Sequence, residues 1–215
     1  EEEKAMSIII TIAAVLGIVF SVGLFILLPT ALTGLIGLVW TGMPLWVRSV
    51  IEGVLKVAIF MAYLYLCSKM KEIHRVFEYH GAEHKTIYCY ENGLELTVEN
   101  VRAQPRHHPR CGTSFLFVVI TVSIFLSIVV FTPLEIENTF LRMALHLLML
   151  PVIVGVTYEF NRWVGGHDGP VCRALRAPGM WMQNFTTFEP DDSMIEVGIE
   201  ALERVLPEEK GADKW

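Results

Sequence analysis

Two imidazoles and a carboxylate share one short stretch, His80-Gly81-Ala82-Glu83-His84. On a helix, residues four apart lie on one face, so His80 and His84 can offer two nitrogens to a single ion while Glu83 lies beside them. The H-x-x-E-H order is the inverted zincin pattern, in which two histidines hold zinc. The competing reading is an exposed polar stretch of helix that happens to carry two histidines.

Two imidazoles do not complete a metal site, and the sequence offers two sources for the rest. Glu159 falls in the last turn of an apolar segment, where an ionisable group is expensive and is a functional candidate by default. Pairing with Arg162 or Arg173 is its plainer explanation. His108 and Cys111 stand three apart just before another apolar segment, and imidazole and thiolate both suit zinc. With Glu159 as third ligand, Zn2+ keeps an open position for water, Glu83 serves as general base and Arg110 or His108 stabilises an oxyanion. Exchanging Glu83 for Gln then keeps the metal and abolishes turnover. With His108 and Cys111 the site closes and becomes structural. Cys111 can also be a nucleophile activated by histidine, or simply a buried thiol. Iron, manganese or nickel would also accept imidazole and carboxylate ligands.

The elements that must position these residues are membrane helices. The chain of 215 residues is 53% hydrophobic and 19% charged, with mean hydropathy +0.48, which is too apolar for an ordinary soluble domain. Apolar runs long enough to cross about 30 Å of hydrocarbon as helices cover Ser7 to Pro29, Trp46 to Cys67, Ser114 to Thr132 and Thr139 to Phe160. Lys69, Lys71, Arg75, Lys85, Arg102, Arg106 and Arg110 lie between the second and third runs, and Arg162, Arg173 and Arg176 follow the fourth. The positive-inside rule therefore places the long central segment and both ends in the cytoplasm of a multi-pass cell-membrane protein, as in a bacterial inner membrane. The expected architecture is an all-α integral membrane protein: two spans over 1–67, a cytoplasmic helical segment over 68–112, two further spans over 113–161 and a cytoplasmic C-terminal segment over 162–215.

Within the central segment, helical spacing from Met70 through Ile73, Val76 and Phe77 runs on to Tyr90, with Asn92-Gly93 as the stop, so the second span is expected to continue directly into the motif helix. Thr97 is placed to cap a short helix, and Pro105 and Pro109 force an extended approach to the third span. Pro190-Asp191-Asp192-Ser193 caps an amphipathic helix over Met194 to Leu206, with Ile195, Ile199, Leu202 and Leu206 on its apolar face. Arg48, Glu52 and Lys56 form a polar stripe on the second span, read as an interhelical ion pair or as part of a polar pathway. His146, about 20 Å along the helix from Glu159, reads as a packed or interfacial histidine. His107 reads as a solvated loop residue, and His167-Asp168-Gly169 as a loop.

The net charge of −6 gives no reason to expect nucleic acid. Cys67, Cys89, Cys111 and Cys172 lack regular disulfide spacing, so reduced thiols are expected. Glu1-Glu2-Glu3-Lys4 holds neither an initiator methionine nor a cleavable signal, and reads as the interior of a longer chain. The bilayer is the expected partner, with a homo-oligomer as an option.

Three blocks carry a family resemblance: Phe77 through Thr86, Leu96 through Arg102, and His108 through Phe115. Together with Val154 through Glu159, Ala177 through Gln183 and Thr186 through Pro190, they resemble the DUF1385 or YqhQ-like family of predicted metal-dependent membrane enzymes. The resemblance covers nearly the whole chain, and His80, Glu83, His84, His108, Cys111 and Glu159 fall on its motif positions. The resemblance implies a metal-dependent membrane enzyme, and the candidate residues themselves point to a zinc-dependent hydrolase, peptidase- or amidase-like, acting on a lipid-linked or membrane-adjacent substrate. The alternative is a non-catalytic, metal-clamped membrane scaffold or oligomeric pore.

Overall fold

The computed structural model describes residues 2–167 and 169–207, and among them it is helical without a strand. Asp168 and the last eight positions of the expected C-terminal segment, like Glu1, lie outside the described residues. Helix α1 (Glu2–Val22) passes through a π turn (Gly23–Leu27) into α2 (Leu28–Val39), and α3 covers Leu45–Ser68. Next come α4 (Lys71–Glu91), α5 (Val98–Arg102), α6 (Gly112–Phe131), α7 (Thr139–Gly165), α8 (Pro170–Met182) and α9 (Asp192–Glu203).

Four helices are long and apolar enough to cross a membrane: Lys4–Val39, Leu45–Ser68, Gly112–Phe131 and Thr139–Gly165. On α1 the isoleucines 8, 9, 10 and 12 and Leu16, Ile18 and Val19 are exposed, an apolar surface all round that suits lipid rather than water. The first span does not end at Pro29. The π turn immediately upstream already breaks the regular i to i−4 ladder, so the proline ring at the start of α2 meets no intact helical carbonyl pattern.

Two other boundaries depart from expectation. The second span does not run straight into the motif helix: Met70 is extended (φ −78°, ψ 129°) and starts α4 as a separate element. An additional helix, α8, occupies a segment whose Pro170, Pro178 and glycines mask its periodicity. Pro170 sits at a helix N-terminus, where its missing N–H costs nothing. The caps read from the sequence are in place. Thr97 Oγ1 accepts the Asn100 N–H at 3.3 Å, Asp191 Oδ1 accepts the Met194 N–H at 2.9 Å, and Gly93 after α4 takes φ +69°.

The described chain divides into two compact units whose boundaries fall inside α3, α6 and α7 instead of at the helix ends. One takes residues up to 61 and 119–156, the other 62–118 and 157 onward. The first unit buries a polar ladder. Arg48, Ser49, Glu52 and Lys56 of α3 are buried together with Arg142 and His146 of α7. His146 is therefore not a bystander in apolar packing, because its Nε2 lies 3.1 Å from Glu52. The second unit builds its core from Ala82 and Cys89 of α4, Val101 of α5, and Met194 and Ile195 of α9. Gly198 lets α9 approach α4 closely: a methyl group there would come within 3.0 Å of Thr86 Oγ1.

Candidate metal centre

Two chain segments of the second unit meet on α4. The extended segment after α8 runs along the helix, its Phe188 N–H donating to Phe77 O at 2.9 Å. Gly81 makes that approach feasible, since a Cβ there would stand 2.0 Å from Phe188 O. His74 stacks on Phe188 with ring centroids 4.0 Å apart. The loop between α5 and α6 is held by buried Gln183. Its Oε1 accepts the His108 N–H and its Nε2 donates to His108 O, both at 2.8 Å, and also to Ser114 Oγ at 3.0 Å.

These clamps orient both motif histidines by the same device. His80 Nδ1 lies 2.7 Å from Thr186 O and His84 Nδ1 lies 2.6 Å from Arg106 O. A carbonyl only accepts, so each Nδ1 carries a proton and donates it, leaving the Nε2 atoms to face inward. Such carbonyl anchoring is the usual outer support of a metal-ligating histidine. Cys111 Sγ lies 3.3 Å from His80 Nε2, and one donor atom each from His80, His84 and Cys111 fall within 4.8 Å of one another. Donors on a tetrahedral zinc ion sit roughly 3.3 to 3.6 Å apart at ordinary bond lengths. The three residues therefore fit such an ion with small adjustments.

The electrostatics favour a thiolate. Burial pushes the Cys111 thiol up, but hydrogen bonds with His80, His84 and Thr113 outweigh it and bring it down to about 5. Burial also penalises protonated His80, yet its hydrogen bond to Cys111, the thiolate charge and the Thr186 carbonyl raise it above the ordinary imidazole value. A proton bridging the pair thus takes the place in which a divalent cation would serve both donors.

The remaining candidates are not among the three converging donors, although the His108 ring lies 5.8 Å from that of His84. His108 is buried, but its Nε2 lies 3.3 Å from Glu91 Oε2 and its Nδ1 accepts the Arg110 N–H at 3.3 Å, so both ring nitrogens are engaged. Burial lowers its pKa, with the Glu91 carboxylate opposing. Glu91 also pairs with Arg110. Glu159 is exposed on α7 and is not among the converging donors. Glu83 is exposed and lines a groove of about 350 Å³ with Tyr79, Ile87 and the α9 residues Val197 and Leu202. At about 100° per residue it lies roughly 80° around the helix from the line bisecting the two histidines, yet its charge still acts on His80.

Sequence reasoning passed over Thr186, Arg106 and Gln183 as supports, because two of them act through main-chain carbonyls that any residue would supply. It also read His107 as solvated. That ring is half-buried, and its Nε2 is enclosed with no hydrogen-bond partner among the described residues.

Residues 1–208 match the family model described as "Protein of unknown function (DUF1385)". The chain is 36% identical over 211 residues to "Uncharacterized protein YqhQ" of Bacillus subtilis (strain 168), covering 96% of this chain and 64% of that protein. The chain thus spans just under two thirds of the length of this curated relative. No solved structure gives a significant match. A family match over nearly its whole length, joined by a relative above one third identity, makes this chain a member of the DUF1385 family.

Proposed function

We propose that this chain is a multi-pass protein of the cell membrane that holds one transition-metal ion at the cytoplasmic boundary and acts as a metallohydrolase. The observation carrying this reading is the convergence of His80 Nε2, His84 Nε2 and Cys111 Sγ, with both Nδ1 atoms anchored on carbonyls. Two imidazoles and a thiolate favour zinc over hard cations. Three protein donors leave one position for solvent, which separates a catalytic from a closed structural site. When bound, such an ion would bring the pKa of its water toward about 7 and polarise a carbonyl. The protein's part is to fix the imidazoles, keep Cys111 as thiolate and present Glu83 on the same helix as the base. Attack on an amide or ester of a lipid-linked or membrane-adjacent substrate is the reaction class this arrangement suits. The cytoplasmic placement rests on the Lys and Arg of residues 69–110 and 162–176.

A specific observation favours a second reading, a metal-clamped scaffold. His107 Nε2 is buried without a partner among the described residues, and the charge of His84 acts on the His107 ring. Rotation of that ring toward His84 would supply a fourth protein ligand and close the site.

The test is turnover of amide and ester substrates in vesicles, with the metal-loaded wild type against Glu83→Gln and Cys111→Ser. The hydrolase reading expects Glu83→Gln to retain the metal and lose at least about a hundredfold in rate, the usual scale of general acid–base catalysis. Full activity in Glu83→Gln removes Glu83 from the mechanism. Metal retention by Cys111→Ser at wild-type affinity removes the site.

A further inference from the structure

The ladder buried in the membrane-spanning unit has an arrangement that ion pairing alone does not require. Glu52 Oε1 lies 3.0 Å from Lys56 Nζ and 3.1 Å from His146 Nε2, while Oε2 lies 3.1 Å from Arg142 NH2. Glu52 and Arg142 are 1% and 0% exposed. One carboxylate therefore faces two cations and an imidazole in a region where every uncompensated charge is costly.

The imidazole is placed as a base among them. His146 Nδ1 lies 2.9 Å from Arg142 O, a carbonyl that only accepts, so the ring's neutral form carries its proton there. Nε2 then accepts from Lys56 Nζ at 2.9 Å, while Ser127 Oγ, also 2.9 Å away, has its own proton on Ser123 O at 2.7 Å and faces the ring as an acceptor. A protonated lysine and a protonated histidine would not rest at that separation, because neither could accept from the other. Glu52 Oε1, at 3.1 Å, is already in position to receive an Nε2–H if one forms. Donor and acceptor for both protonation states of the ring are thus built into the same shell.

We infer that His146, with Glu52 and Lys56, forms a membrane-embedded proton-binding site whose ligand is the hydrated proton. On uptake, an Nε2–H bond forms and is donated to Glu52, the Lys56 hydrogen bond to Nε2 breaks, and the cluster gains one positive charge. On release, the proton returns to water and Lys56 donates to Nε2 again. The site has a polar approach. Arg142 NH2 reaches Ser49 Oγ at 3.1 Å, and one turn before Glu52 on the α3 stripe Arg48 holds Glu137 O and Thr139 Oγ1 at 2.5 and 2.8 Å. Arg48, Glu137 and Thr139 line a groove of about 310 Å³ by the α6–α7 connection. From Arg48 to Lys56 the ladder covers about 12 Å at 1.5 Å per residue. The groups facing His146 are Lys56 and Glu52 on α3, Ser127 and the Phe131 ring on α6, and Arg142 on its own helix, with Thr30 of α2 donating to Glu52 at 2.9 Å.

The test is 15N-histidine NMR of the full chain in lipid nanodiscs, with the His146 signals identified by their loss in His146→Gln. In the wild type, His146 is expected to pass reversibly from the neutral Nδ1–H form to imidazolium within about pH 4 to 8, the range histidine reaches when its surroundings shift it modestly. Lys56→Met removes a cation and should move the midpoint up by about one unit or more, and Glu52→Gln should move it down, the directions required by like and unlike charges. A single protonation state throughout that range in the wild type overturns the proposal. So does a Lys56→Met variant, folded by circular dichroism, whose midpoint stays in place. Because the wild-type titration stands alone, misfolding of a variant leaves the claim open to refutation.

Discussion

At the scale of residues, the candidate metal centre depends on which nitrogen of each histidine is committed to the protein. Anchoring Nδ1 of His80 and His84 on main-chain carbonyls is what turns two helix-face imidazoles into a pair of converging donors. The thiolate has a pH signature. The Cys111 thiol falls to about 5 against an ordinary value of 9.0, so the folded apo-protein gains stability as pH rises between these limits. That contribution is complete above about 9 and is lost as pH falls through about 5, while raised His80 opposes it by losing stability as pH rises. Chemical denaturation of the metal-free protein at a series of pH values should show that slope, and Cys111→Ser should flatten it. Metal affinity should follow the same sign, weakening as pH drops toward about 5, since protons compete for the donor sulfur. The H-x-x-E-H pattern made the two histidines legible at once. Cys111 was only one of several options, because no spacing rule connects a loop residue to a helix 27 positions away. Glu159 is attractive for its cost in a membrane, yet it is exposed and is not one of the three converging donors.

At the scale of elements, the segment from Gln183 to Phe188 sets the site's geometry, although it carries no ligand. It supplies the carbonyl that orients His80, the Gln183 amide that pins the His108 backbone, and the close pass over Gly81. Gly81→Ala should force Phe188 off α4, since the added methyl would sit 2.0 Å from its carbonyl oxygen. The expected cost is about 1–3 kcal/mol of stability by denaturant titration, the usual scale of overpacking, together with weaker metal binding. Gln183→Leu leaves the buried His108 N–H without its acceptor and should cost about 1–3 kcal/mol by the same measurement. Unchanged midpoints in both variants would show that this segment does not hold the site. Helix ends were well legible where caps announced them, at Thr97 and Asp191. Helix α8 was not, because two prolines within 13 residues hide its period. The α3–α4 break was also hidden, because a single extended residue, Met70, leaves the apolar spacing on either side undisturbed.

At the scale of the whole molecule, composition and four apolar runs were enough to show helices fit for a membrane. The buried ladder was half legible: Arg48, Glu52 and Lys56 repeat every four residues, whereas Arg142 and His146 join them through tertiary contacts that no local pattern announces. The proposed orientation is checked by single cysteines in an otherwise cysteine-free background, labelled on intact cells with a membrane-impermeant thiol reagent. A cysteine at Glu135 should label from outside, and cysteines at Gly93 or Val205 only after lysis. The central claim is the three-donor metal centre, and X-ray absorption spectroscopy of the full chain purified without chelator tests it most directly. The account predicts one ion per chain with two imidazole nitrogens at about 2.0–2.1 Å, one sulfur at about 2.3 Å and one further light donor from solvent. Absence of retained metal, or a spectrum without sulfur, would contradict the centre itself. A third imidazole in place of solvent would contradict its catalytic reading.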